Sequence, residues 1–279
     1  MVRIPETIIA VKGSLKNPKL VFEYNKFYLE FPVDYNKVPM PKTSYEDRVV
    51  LSVDRGFNHG AVVSVVDASG TVLKRYFDPF TADMARIDHV INLIRKAGRE
   101  SGKGQSLSSL YTKLNGLKDN YVKQLSRWIV NRAIENNVYG IVLEHLESLK
   151  GKGRGSLKAR IQQWATAQTR DFIKGMALRA GIRTFIINPY GTSKYAFDGS
   201  GKVVRDTNDY SMCTFANGKR YNCDLSASYN IAARYFLREL QKSMSVTAWS
   251  QLKAKVPELS KRTEWTLSTL RHVHSARCA

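Results

Sequence analysis

A carboxylate at the end of an apolar run constrains this chain more than any other feature. The stretch Arg48-Val-Val-Leu-Ser-Val-Asp54-Arg-Gly56 is apolar enough to be a central strand covered on both faces, yet it ends in a charge. Two more runs rich in Val, Leu and Thr follow, 61–66 and 71–76, separated by Asn58-His59-Gly60 and by Asp67-Ala-Ser-Gly70. The pattern predicts a meander of three antiparallel strands. An ionised Asp at a buried strand end is costly unless something pairs with it, and a metal ion is one such partner. A turn-capping role accounts equally well for one Val-Asp-x-Gly taken alone, so the decision rests on the rest of the chain.

Upstream, 7–12, 19–24 and 27–33 read as short strands, with Asn25-Lys26 as a tight turn and 34–47 as a linker. So few strands form an incomplete barrel or sheet that needs something to pack on. After the meander come two helical stretches, 84–99 and 107–136, whose apolar stripes read as core. Tyr139 to Leu146 is a second apolar strand, and it too contains a carboxylate near its end, Glu144. The basic glycine loop Lys150-Gly-Lys152-Gly-Arg154-Gly-Ser156 follows. It reads either as solvated linker or, beside a metal site, as a phosphate-approaching loop. A helix over 157–180, a strand over 182–188, a polar and aromatic insertion over 189–223 and a helix over 224–242 complete the pattern. A tail over 243–279 reads as helical in pieces and carries no evident chemistry. A meander followed by alternating strands and helices matches an α/β fold of the RNase H-like (RuvC-like) type: a mixed sheet flanked by helices, here preceded by a few β-barrel strands.

Asp54, Glu144 and Asp224 stand at a strand end, a strand end and a helix start. Adjacent central strands bring the first two together, and the helix dipole favours the third. Asp is also a common N-cap, so capping alone would explain Asp224. For each acid singly the bland explanation suffices; for all three on one scaffold the expectation is metal chemistry. Three oxygen ligands without His or Cys suit Mg²⁺ or Mn²⁺, two ions roughly 4 Å apart, for phosphodiester hydrolysis.

Charge points the same way. Lys and Arg number 44 against 24 Asp and Glu, a net +20 with a pI near 9.9, which favours nucleic acid first and an anionic membrane second. No apolar run approaches the roughly 20 residues of a membrane span, and no leader-like segment is visible, so a membrane location is not expected. Three cysteines are too few for a disulfide framework and fit a reducing cytoplasm.

Four segments carry a resemblance: Val53-Asp54-Arg-Gly56, Gly140-Ile-Val-Leu-Glu144, Asn188-Pro189-Tyr-Gly-Thr192-Ser193, and Asp224-Leu-Ser-Ala227-Ser-Tyr-Asn230-Ile231-Ala232. Together they resemble the RuvC-like nuclease half of the TnpB family, transposon-encoded RNA-guided endonucleases related to type V CRISPR effectors. The resemblance implies that Asp54, Glu144 and Asp224 are catalytic metal ligands and that the partners are DNA and a guide RNA. Lys150, Lys152, Arg154, Lys158 and Arg205 are the expected nucleic-acid-binding residues. Two departures stand out. Tyr195, Ala196, Phe197 and Asp198 occupy the place of the first cysteine pair of the family's zinc ribbon, leaving Cys213 and Cys223. Two thiols without a nearby His do not fill a tetrahedral zinc site, so no structural zinc is expected. An aromatic hairpin (Tyr195, Phe197, Tyr210, Phe215, Tyr221) is expected instead, working as a mobile flap over 190–223. The second departure is at the start: Met1 falls within what reads as the last barrel strands, as in a truncated member or one piece of a split protein. The expected division is therefore 1–46 as a barrel remnant with linker, 47–242 as the nuclease domain and 243–279 as a tail. The alternatives are a nuclease-inactive relative that holds nucleic acid, and an unguided RNase H-fold transposase or resolvase.

Overall fold

A computed structural model describes residues 14–23, 25–34, 40–55, 60–100, 107–145, 157–209 and 211–278. Near the N-terminus, β1 (Ser14–Leu15) pairs with β4 (Val33–Asp34), and β2 (Lys19–Glu23) pairs with β3 (Lys26–Glu30), all antiparallel. Glu23 is the partner of Lys26, so Lys26 belongs to the strand and not to the expected turn; Asn25 takes φ +61° beside it. The expected strand over 7–12 lies outside the described residues.

The sheet that organises the chain has five strands: β5 (Val49–Arg55), β6 (Ala61–Asp67), β7 (Val72–Phe77), β8 (Gly140–Glu144) and β9 (Arg183–Ile187). Their order is β7-β6-β5-β8-β9. The first three are antiparallel, as the Val-rich meander predicts, whereas β5, β8 and β9 run parallel. Parallel strands need crossovers. The first is supplied by α1 (Thr81–Glu100) and α2 (Ser108–Glu135), and the second by α3 (Leu157–Arg179).

Side-chain alternation splits the core into two layers. Leu51, Val53, Val63, Ile141 and Leu143 face α1, α2 and α3, meeting Ile91, Leu114, Leu125, Ile129 and Ile173. Val50, Val62, Val66 and Val142 face the opposite way, onto Ile231, Tyr235 and Phe236 of α4 (Cys223–Ser243). This three-layer arrangement, a mixed sheet between helices, is the RNase H-like fold.

The C-terminal segment 243–279 is helical in pieces, as its sequence suggests, and it packs on the sheet domain. α5 (Val246–Lys255), α6 (Leu267–Cys278) and the stretch between them bury Trp249, Leu252, Val256, Leu259, Trp265, Leu270 and Val273 in the same layer as α4. The end of the expected linker is docked as well: Tyr45 packs edge-on against Phe236, and Glu46 pairs with Arg277 at 3.1 Å.

Candidate metal site at the strand ends

Strand register places two of the three acids. Val50, Leu51 and Ser52 of β5 stand beside Gly140, Ile141 and Val142 of β8. Continued by two residues, the same register sets Asp54 beside Glu144. Neighbouring strands lie about 4.8 Å apart, and residues two apart share a face. Asp54 therefore points the same way as Val50, and Glu144 the same way as Val142, toward the layer that holds α4. Asp224 sits in the first turn of that helix. The N-cap role open to Asp224 is filled by Asn222, whose side-chain oxygen accepts from Leu225 N at 2.8 Å. Capping therefore does not explain Asp224.

The electrostatics link the three acids. Asp54 is 7% exposed, and its carboxyl is held well above the usual carboxylate range by burial and then by the negative charges of Glu144 and Asp224; Arg205 opposes the shift. Glu144 is raised to about 7 by burial, against the pull of a hydrogen bond from Thr192 and of the Arg234 guanidinium. Their ligand atoms nevertheless do not form a closed set: among the described residues, no group of three His, Cys, Asp or Glu side chains is arranged to hold a metal ion. The donor chemistry still fits a hard divalent cation, since all three are carboxylates and burial disfavours the ionisation of Asp54 and Glu144. Among the described residues, Arg205 on β10 (Val204–Arg205) is a cation that acts on Asp54. Lys150, Lys152 and Arg154 lie outside the described residues. Lys158 falls in the first turn of α3, and its side chain is likewise outside the described ones.

Several functional residues are not evident from composition or periodicity. Thr192 is buried and donates to Glu144 Oε1 at 2.6 Å. Asn230 is completely buried; its amide donates to Thr192 O at 3.0 Å and Tyr195 O at 2.8 Å, and its oxygen accepts from Leu267 N at 3.1 Å. Arg234, one turn further along α4, donates to Tyr190 O and to Thr263 O, each at 2.7 Å. Burial lowers its pKa to about 10, with Glu144 acting against the shift. Both Thr192 and Asn230 stand in the quoted motifs, which is the one available signal; nothing marks Arg234. On the other face of β5, Arg55 is influenced by Asp78 and Tyr121, and Tyr121 donates to Asp78 Oδ2 at 2.9 Å.

The insertion, expected to be an aromatic flap, carries its own small sheet. β10, β11 (Met212–Thr214) and β12 (Arg220–Asn222) form a small antiparallel sheet with its own core of Ala196, Cys213, Phe215 and Cys223. Phe197 contacts Phe215, Tyr221 and Tyr229 with ring centroids 5.0–5.6 Å apart. These contacts offset the ordering cost that makes a mobile flap the expectation from sequence. Of the five expected aromatics, Phe197, Phe215 and Tyr221 form the cluster. Tyr195 instead donates to Glu264 at 3.2 Å, and Tyr210 lies outside the described residues.

No protein-family model matches the sequence, and no curated protein matches it significantly. Solved structures do. The chain is similar to a protein in the Cas12f1–sgRNA–target DNA complex, with 15% identity and a TM-score of 0.50 over 78% of this chain and 64% of that one. It also matches a CRISPR-Cas12f ternary complex, with 19% identity and a TM-score of 0.48 over 81% and 47% of the two chains. Thermus thermophilus RuvC aligns with 11% identity and a TM-score of 0.30 over 82% and 96%. The chain thus spans under two thirds of the length of the first two. At these identities the likeness to the Cas12f1 protein concerns the fold alone, in keeping with the mixed sheet between helices described above. No helix among the described residues is long and apolar enough to cross a membrane.

Proposed function

We propose that this chain is the nuclease part of a metal-dependent DNA endonuclease of the TnpB type, guided by RNA in its complete form and associated with transposable elements. The observation that supports the reading is the parallel pairing of Val50–Ser52 with Gly140–Val142, which continued by two residues leads to Asp54 and Glu144, with Asp224 in the first turn of the helix that covers that face. Asp54, Glu144 and Asp224 would hold Mg²⁺ or Mn²⁺, two ions in all. Bound there, such ions supply activation of water and neutralisation of the leaving oxygen of a phosphodiester. The residues of the chain do the rest. Thr192 orients Glu144 through its hydroxyl, Arg205 brings positive charge to the edge of the site, and the net +20 concentrates polyanions around it. The guide RNA and the DNA partner are supported by the motif resemblance and by the likeness to the Cas12f1 protein, whose structure is that of a complex with sgRNA and target DNA.

A second reading, nucleic-acid holding without cleavage, draws on the lack of a closed three-ligand group among the described residues. Cleavage assays separate the two. Purified protein is incubated with labelled single- and double-stranded DNA in Mg²⁺, in Mn²⁺ and in EDTA, beside Asp54→Ala, Glu144→Ala and Asp224→Ala. The nuclease reading expects metal-dependent cutting that each substitution abolishes while DNA binding persists. Binding with no cutting under any metal, with or without co-purified RNA, supports the holding protein instead.

A further inference from the structure

The turn that follows β9 reaches the proposed site through a single hydroxyl. Thr192 is 3% exposed, and its Oγ1 lies 2.6 Å from Glu144 Oε1 and 2.8 Å from Pro189 O. Glu144 is the last residue of β8 and pairs with Ile187 through the backbone, which does not fix its side chain, so an unsupported carboxylate there would sample several rotamers. A short hydrogen bond to a carboxylate is among the stronger ones and fixes one oxygen.

The turn itself is held from behind. Asn230 spends both amide hydrogens on Thr192 O and Tyr195 O, and its oxygen on Leu267 N. Arg234 joins Asn188 O and Tyr190 O of the turn to Thr263 O and Trp265 O of the C-terminal segment. Tyr195 adds a bond to Glu264. Gly191, at φ +80°, lies so close to this segment that an added Cβ would sit 2.8 Å from Thr263 O. A buried network with its groups satisfied has little slack and rigidifies what it holds.

We propose that Thr192 is a positioning residue that fixes the Glu144 carboxylate for cation binding, and that the segment 263–267, acting through Asn230 and Arg234, braces Thr192. The proposal rests on reading Glu144 as a cation ligand. It gives the C-terminal segment a part in the chemistry without any of its side chains touching the site. Groups that orient metal ligands commonly contribute about 10–100-fold in metal affinity.

The test measures Mn²⁺ affinity of the full chain by electron paramagnetic resonance titration, with thermal melting recorded for every variant. Thr192→Val keeps the shape and removes the hydroxyl; Thr192→Ser keeps the hydroxyl. Gly191→Ala pushes the turn off its brace and leaves Thr192 and Glu144 chemically intact. The expectation is at least about tenfold weaker Mn²⁺ binding in Thr192→Val, partial weakening in Gly191→Ala, and near wild-type affinity in Thr192→Ser. Wild-type affinity in Thr192→Val, or equal weakening in Thr192→Ser, overturns the positioning role. Unchanged affinity in a folded Gly191→Ala overturns the brace. A wild-type protein that binds no Mn²⁺ removes the underlying reading of Glu144, a result distinct from either.

Discussion

Replacing Glu144 with glutamine should stabilise the metal-free protein while destroying its response to metal. Burial raises the Glu144 carboxyl from an ordinary value of 4.5 to about 7, so above neutrality the native state carries a charge it disfavours. At about 1.4 kcal/mol per pKa unit the penalty is at most about 3.5 kcal/mol. The sign follows from proton linkage: between pH 4.5 and about 7 the folded protein holds a proton that the unfolded chain has lost. Stability from this group is therefore greatest at low pH and declines as pH rises through that window. Gln has the same shape, can still accept from Thr192, and carries no charge to desolvate. In thermal or urea unfolding at pH 8 with EDTA, Glu144→Gln should exceed wild type, by up to about 3.5 kcal/mol, and should show a shallower decline than wild type between pH 5 and 8, the remainder coming from Asp54. Adding Mg²⁺ should then raise the wild type, by about 2.7 kcal/mol at a hundredfold excess over Kd, and leave the variant unmoved. A variant no more stable than wild type at pH 8, beside a wild type whose stability does not change over that range, would refute the reasoning.

Three further outcomes follow from the packing and the charge. Gly140→Ala places a Cβ 2.5 Å from the Phe185 ring and should cost about 1–3 kcal/mol in chemical unfolding. Hydrogen exchange should show the insertion strands 212–214 and 220–222 protected in the free protein, because the Phe197 cluster orders them without DNA. Affinity for DNA should fall steeply with salt, by about 100-fold or more between 50 and 200 mM, as counterion release from many phosphate contacts requires.

The meander, the two parallel strands and their crossover helices are legible in the sequence because apolar runs and helical stripes of that length have few other uses. The acids are legible from their places at strand and helix ends, sharpened by the motif resemblance. The C-terminal segment is not. Trp249 lies in α5, Leu259 in a short 3-10 turn and Trp265 just before α6, so the three follow no single helical stripe although they share one core with α4. The insertion misleads for a related reason. Glycines such as Gly199 and Gly201, both at positive φ, argue for mobility when read locally, while the contact of Phe197 with Tyr229 spans 32 positions and is invisible to local reading. The polar brace on Thr192 is hidden in the same way, since Asn230 and Arg234 act on backbone carbonyls that no motif records.

The central claim, that the three acids serve one cation site, is tested most directly by diffraction from crystals grown with Mn²⁺ and collected at the manganese edge. Anomalous density is expected between the carboxylates of Asp54, Glu144 and Asp224, and is expected to be lost in Asp54→Asn. Anomalous density elsewhere on the chain, or none at saturating Mn²⁺ with the three carboxylates still apart, would contradict it.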